Sequence, residues 1–243
     1  MKVLDIACGV GYGSFLMAKD ANEVIGVDIS EEAIEAANIK YKHPNLIFKT
    51  GSTDDIPVGD NYFDIVVSFE TIEHHDRHDE MLSEIKRVLK SGGLLIISSP
   101  DKLNYSDVRN YKNPFHKKEL YEDEFKNLLN KYFKNTLFLR QQSTYCSRII
   151  PNVITGYVEY EGDFNSVQEK ENLQPLFIVA VASDELIGKS NIPLSIFRED
   201  RFLDTLVNET ILKYKNSKSY KIGHFILLPI RLIREGIKLL LKK

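Results

Sequence analysis

Five short apolar runs mark the first hundred residues: Val3-Leu4-Asp5-Ile6-Ala7, Glu23 to Asp28, Asn45 to Lys49, Phe63 to Phe69 and Leu94 to Ser98. They are apolar at successive positions more than at alternate ones, the pattern of strands buried on both faces. Helix-forming stretches lie between them. Ser14 to Lys19 is built of good helix formers. Ser30 is a favourable N-cap, Glu31 and Glu32 suit the positive helix start, and Ala33, Ile34, Ala36 and Ala37 supply an apolar side. Met81, Leu82, Ile85, Val88 and Leu89 fall at helical spacing and predict a helix over Asp79 to Leu89, ended by Ser91-Gly92-Gly93.

This alternation predicts an α/β fold, a doubly wound and mostly parallel sheet with helices on both faces. Beyond Pro100 the pattern loosens. Asp101 to Lys118, polar with aromatics, reads as loop, and Tyr121 to Tyr132 as a helix burying Phe125, Leu128, Leu129 and Tyr132. Thr136 to Arg140 and Leu176 to Ala182 bring the strands to seven. Gln141 to Pro175 is too long for a plain connection and is expected to form an insertion (141–175) on the substrate side. One domain over 1–183 and a helical C-terminal extension over 184–243 follow.

Composition narrows the class. With 243 residues, 43% apolar and 28% charged, the chain is globular. Cys8 and Cys146 are too few for a disulfide framework or a four-thiolate zinc site. No run approaches the ~20 apolar residues of a membrane span. Met1-Lys2-Val3-Leu4-Asp5 has no signal-peptide layout, so a cytoplasmic location is expected.

Charge is uneven. Ile211 to Lys243 holds nine Lys or Arg and one acidic residue, Glu235, whereas the other residues hold 23 basic and 34 acidic. An acidic body excludes nonspecific nucleic-acid binding. The segment 213–243 alternates Phe225 to Leu228, Ile230, Ile233, Ile237 and Leu239 to Leu241 with Arg231, Arg234, Lys238, Lys242 and Lys243. It suits an anionic surface, placing the chain peripherally at the inner face of a cell membrane. The alternative is a helix docked on the body or on a second subunit, a homodimer. Pro229 and Gly236 interrupt the segment.

In a parallel sheet, ligands bind beyond the carboxyl ends of the strands. There stands Cys8-Gly9-Val10-Gly11-Tyr12-Gly13, in which Gly9 and Gly11 let backbone approach a ligand and Gly13 lets helix and strand pack closely. Asp5 would repel a pyrophosphate but suits an ammonium group. Ser14 stands where a dinucleotide fingerprint has its third glycine, and no G-K-[ST] follows, so dinucleotides and P-loop nucleotides are disfavoured. Asp28, ending the second run, is placed to accept two ribose hydroxyls. The plain alternative is a tight turn between two ordinary strand-end aspartates.

On these residues the sequence resembles the class I S-adenosylmethionine-dependent methyltransferases. The match runs through Val3 to Gly13, Gly26-Val27-Asp28-Ile29-Ser30, Gly51 to Pro57, Phe63 to Glu70 and Leu89 to Ile97, in order and at the family's spacing. The resemblance implies a Rossmann-like methyltransferase fold and S-adenosyl-L-methionine as cofactor. It implies that Asp5, Ala7, Gly9, Gly11 and Gly13 hold the methionine part, Asp28 the ribose, and Ile29 the adenine face. Ser68, Phe69 and Glu70 border the methionine part. Many relatives have Asp where this chain has Ser52, so adenine recognition is shared among Ser52, Thr53 and Asp54. Relatives usually carry helices before the first strand. Here those N-terminal helices are absent, and either a fragment or another covering element is expected.

Methyl transfer to a hydroxyl needs a group to take the proton, and histidine suits that near neutral pH. Glu70-Thr71-Ile72-Glu73-His74 follows the fourth strand and resembles the Glu-x-x-Glu-His segment of quinone- and sugar-type O-methyltransferases. His74 is the expected base or acceptor-orienting group, with Glu73 setting its tautomer; a solvated, helix-capping turn is the alternative. No metal is expected: His74 and His78, with Asp76 and Asp79, have helical ligand spacing but straddle a turn. His116, in Asn113-Pro114-Phe115-His116, is a second catalytic candidate or else a helix cap. Ser98 to Asp101, Asn113 to His116 and Glu119-Leu120 look like methyltransferase domains of surface-polysaccharide assembly. The expected reaction is methylation of a sugar hydroxyl or phosphate in glycan assembly. The alternatives are a small-molecule O- or N-methyltransferase acting on a quinone or lipid precursor, a nicotinamide oxidoreductase (disfavoured by Asp5 and Ser14), and a non-catalytic membrane-tethered binding module.

Overall fold

A computed structural model describes residues 1–142, 160–162, 166–169, 174–188, 211–213 and 216. The elements run β1 (Lys2–Ile6), α1 (Tyr12–Met17), β2 (Glu23–Asp28), α2 (Glu31–Lys40), β3 (Leu46–Thr50), β4 (Phe63–Ser68), α3 (His78–Val88), β5 (Leu89–Pro100), α4 (Glu122–Tyr132), β6 (Asn135–Gln141), β7 (Tyr160–Gly162), β8 (Val167–Glu169) and β9 (Phe177–Ser183). Seven strands form one sheet in the order β3-β2-β1-β4-β5-β9-β6, and β7 pairs with β8. The strands β1 to β5 are parallel, and β9 runs antiparallel to both β5 and β6. This is the Rossmann-like methyltransferase fold, with a mixed sheet and flanking helices. The chain divides into Met1–Gly188 and Lys189–Lys243.

The apolar runs bury both faces. On one, Leu4, Ile6, Val66, Leu95 and Ile97 pack with Met81, Leu82, Ile85 and Val88 of α3 and with Phe125 and Leu129 of α4. On the other, Val3, Val24 and Val67 lie with Ala18, while Phe48 packs against Ile34 and Ala37 of α2. Ser30 caps α2 as its residue type predicts, its hydroxyl accepting the Ala33 N–H at 3.2 Å.

Two local expectations are corrected. The helix α3 stops at Val88, and Leu89 is already a strand residue opposite Phe63. The ladder then jumps to Ile65 opposite Leu94, so Ser91-Gly92-Gly93 is an irregularity within β5 and not a helix terminator. Gly92 takes φ +75° there, which a residue with a Cβ adopts poorly. Leu103–Asp107, expected as loop, winds into one wide helical turn.

Most of the expected insertion over 141–175 lies outside the described residues, as does nearly all of the basic segment 213–243. Among the described residues no helix is long and apolar enough to cross a membrane.

Candidate active site

Parallel pairing puts the carboxyl ends of β1 to β5 on one edge. Beyond β1 the chain turns sharply, with positive φ at Ala7, Gly9 and Gly11. A Cβ on Gly11 would lie 2.5 Å from the Phe48 ring, so that glycine is demanded by packing. A Cβ on Gly9 would meet nothing within 4 Å; its face of the turn opens on free space.

Asp28 ties the turn to the neighbouring strand. Its Oδ2 accepts the Gly9 N–H at 2.8 Å and its Oδ1 accepts the Ser30 N–H at 2.9 Å. Each oxygen keeps a lone pair for a further donor, such as a ribose hydroxyl. Asp5 is buried, and its Oδ2 accepts the Ser14 hydroxyl at 2.6 Å. Burial pushes its carboxyl above the ordinary range; the Ser14 hydrogen bond opposes this, and the nearby negative charge of Asp28 adds to it. Ser14, weighed in the sequence only for not being glycine, is the partner of this buried carboxylate.

The loop after β3 gathers Ser52, Thr53 and Asp54. The Ser52 hydroxyl and Arg77 both bind the Asp54 carboxylate, which holds it below its usual range. Thr53 faces His75 at 3.4 Å. Val10, Ile29 and Phe69 follow β1, β2 and β4 and are exposed, Ile29 at 76%. The Ser68 hydroxyl is buried without a hydrogen-bond partner. An open glycine face, a carboxylate with lone pairs to spare, an orphaned hydroxyl and uncovered apolar side chains fit a nucleoside carrying a charged, partly apolar tail.

Past β4, Glu70 takes φ +50°; its N–H donates to Ser98 Oγ at 3.0 Å, and the Ser98 hydroxyl donates to its Oε1 at 2.6 Å. Burial raises the Glu70 carboxyl, with the Ser98 bond opposing. Glu73, His74 and His116 then converge. Glu73 is 1% exposed and its Oε2 has no hydrogen-bond partner. Burial, with the charges of Glu70 and Glu119 adding, pushes its carboxyl up to about 8. The His74 and His116 rings meet edge to face at 5.1 Å.

The tautomer of His74 is set differently from the sequence expectation. Its Nδ1 lies 3.1 Å from the Phe115 carbonyl oxygen, which can only accept, so Nδ1 carries the proton. Glu73 Oε1 stands 3.9 Å from Nε2 of both His74 and His116, beyond hydrogen-bond reach. In the neutral ring Nε2 of His74 is thus the lone-pair site, and the ring is partly exposed. His116 donates from Nδ1 to Glu119 at 2.5 Å, accepts from Asn113 at Nε2 at 2.9 Å and stacks on Tyr105. Glu119, Asn113 and Tyr105 were not assigned these roles from the sequence, because their contacts appear only when the loop after β5 folds back.

The His74–His78 pairing does not form: the His78 ring is buried and its Nε2 lies 2.9 Å from the His75 carbonyl oxygen. The donor atoms of Glu73, His74 and His116 lie within 4.8 Å of one another, close enough to ligate one cation.

Residues 4–97 match the sequence profile of a methyltransferase domain. The chain is 37% identical over 128 residues to a probable S-adenosylmethionine-dependent methyltransferase of Mycolicibacterium smegmatis, covering 52% of this chain and 49% of that one. It is 40% identical over 106 residues to the mitochondrial ubiquinone biosynthesis O-methyltransferase of Candida albicans, covering 41% of this chain and 32% of that one. The chain spans about half the length, or less, of these curated relatives. The crystal structure of a methyltransferase from Archaeoglobus fulgidus has the same fold, with a TM-score of 0.56 at 22% identity, over 74% of this chain and 85% of that one.

Proposed function

We propose that residues 4–97 form a class I S-adenosylmethionine-dependent methyltransferase domain, and that the chain methylates a hydroxyl oxygen of a small, ring-bearing acceptor. The observation that carries this reading is the His74–Phe115 hydrogen bond. In the neutral ring it leaves Nε2, on a partly exposed imidazole at the ligand edge of the sheet, as the nitrogen with the lone pair.

S-adenosylmethionine brings a methyl group already activated on a cationic sulfur. The chain's residues then bind, align and take a proton. The turn from Asp5 to Gly13, bordered by Ser68, Phe69 and Glu70, holds the methionine part, and Asp28 accepts the ribose hydroxyls. Ile29 covers the adenine, whose edge meets Ser52, Thr53 and Asp54. His74 accepts the acceptor's hydroxyl proton at Nε2. His116, clamped by Glu119 and Asn113 and stacked on Tyr105, forms a fixed wall beside it. Burial favours the neutral form of Glu73, so it adds no negative charge beside the two rings.

Two acceptors share this chemistry. The sequence resemblance over 98–120 favours a sugar hydroxyl or phosphate of a surface glycan. The name of the Candida albicans relative favours a quinol-type phenol. The test is incubation with methyl-labelled cofactor and panels of quinols and lipid-linked glycosides. Label on an acceptor oxygen is expected. Transfer to none of them, or label on carbon or nitrogen, overturns the reading.

A further inference from the structure

The stretch from Lys102 to Lys118 reverses the charge of the acidic body, with five cations (Lys102, Arg109, Lys112, Lys117 and Lys118) against one carboxylate, Asp107. It also leaves large apolar side chains in solvent. Phe115 is 75% exposed and Val108 62%, with Leu103 and Tyr111 also exposed. Leaving these four in water is unfavourable by the area they present, and large exposed apolar side chains interleaved with cations along one stretch point to a binding surface. The stretch is firmly built. Val108 N–H donates to the Leu103 carbonyl at 2.9 Å and Tyr111 N–H to the Ser106 carbonyl at 3.0 Å. The Arg109 guanidinium sits against the Tyr105 and Tyr111 rings, 5.9 Å from each. The lone carboxylate is engaged, since Asp107 accepts the Tyr121 hydroxyl at 2.9 Å.

We propose that this stretch is a membrane-docking loop, which seats Val108, Tyr111 and Phe115 among the lipids of an anionic surface while Arg109 and Lys112 pair with headgroup phosphates. Apolar side chains flanked by Arg and Lys are the chemistry of an interfacial anchor. Each cation near an anionic leaflet strengthens partitioning about fivefold. The loop adjoins the reacting groups: the Phe115 carbonyl holds His74, and Tyr105 stacks on His116. Docking therefore brings the proton-accepting edge to the lipid surface. This deepens the methyltransferase reading by making the acceptor a membrane-borne amphiphile, yet binding is measurable without any acceptor.

The chain contains no tryptophan, so one introduced indole is a unique reporter. Val108→Trp in the full chain is mixed with phosphatidylcholine vesicles, with and without phosphatidylglycerol. Ile39→Trp, 81% exposed on α2, is the control. A blue shift for Val108→Trp on anionic vesicles, and none for Ile39→Trp, is expected. Adding Arg109→Gln and Lys112→Gln should weaken the titration about 25-fold, two cations at about fivefold each. Sedimentation with vesicles but no shift at Val108→Trp would place binding elsewhere in the chain and overturn the proposal. So would no sedimentation, equal shifts at both positions, or a shift induced by RNA or an acidic protein and not by vesicles. If no methyl transfer is found while the shift appears, the acceptor reading fails and the docking loop stands.

Discussion

His74 donates its Nδ1 proton to the carbonyl oxygen of Phe115 at 3.1 Å, joining the turn after β4 to the loop after β5 across 41 residues. One ring nitrogen is thereby committed to structure, and in the neutral ring the other keeps its lone pair. The same bond couples the reacting edge to the loop that carries Val108 and Tyr111.

Replacing His74 should separate chemistry from cofactor binding. His74→Ala is expected to lower kcat by about 10²-fold or more, the usual contribution of a general base. Cofactor affinity by calorimetry should stay within about twofold, because Asp28 and the glycine turn are untouched. An unchanged kcat, or equal loss of turnover and affinity, would remove His74 from the proton-transfer role.

Asp28→Ala should weaken S-adenosylmethionine binding more than about tenfold, since charge-assisted bonds to the ribose are lost. It also frees the Gly9 and Ser30 N–H groups that the carboxylate now holds. Asp28→Asn should retain more affinity than Asp28→Ala. Calorimetry showing no change for Asp28→Ala would refute the assignment.

Gly9 and Gly11 should respond oppositely to a methyl group. At Gly11 the new Cβ meets Phe48 and Ala37 at φ +82°, so Gly11→Ala should cost about 1–3 kcal/mol of stability in urea unfolding. At Gly9 the Cβ enters open space at φ +53°. Gly9→Ala should leave a folded chain, destabilised only by the backbone strain of about 1 kcal/mol. Its larger effect should be weaker cofactor binding. Intact affinity in Gly9→Ala would mean the cofactor does not lie against that face.

Glu73 should make stability depend on pH. Its carboxyl is raised to about 8 in the fold from the ordinary 4.5. Between these values the folded chain keeps a proton that the unfolded chain has released. Stability from this group is therefore fully present below about pH 4.5 and is lost as pH rises toward 8. Glu73→Gln should flatten that slope and be the more stable protein at about pH 8, by at least about 1 kcal/mol. Urea unfolding with a chelator present at about pH 5 and pH 8 measures it; parallel pH dependence in both proteins would contradict the buried, protonated carboxyl.

The sheet was legible because its strands are short runs with apolar residues on both faces, and the meeting of Asp5, the glycine turn and Asp28 at one edge because they sit within about thirty residues of one another. What escaped depends on long-range contact. Leu89 continues an apolar helical stripe, yet Phe63 recruits it into a strand. Glu73 neighbours His74 in sequence, but the short helical turn Ile72–His74 leaves its carboxylate out of reach, and the distant Phe115 carbonyl takes the bond. Glu119 and Asn113 carry no local signal of the contacts they make with the His116 ring once the loop folds back. No local periodicity encodes such meetings.

Strand β9 enters the sheet between β5 and β6, and both margins of the excursion that precedes it are stitched at one place. Leu176 N–H donates to the Gln141 carbonyl at 3.0 Å, and Asp101 N–H donates to the Leu176 carbonyl at 2.9 Å. Exit and return are thus side by side. What lies between them can be lengthened, shortened or exchanged without re-registering a single rung, while the glycine turn and Asp28 on the far strands stay untouched.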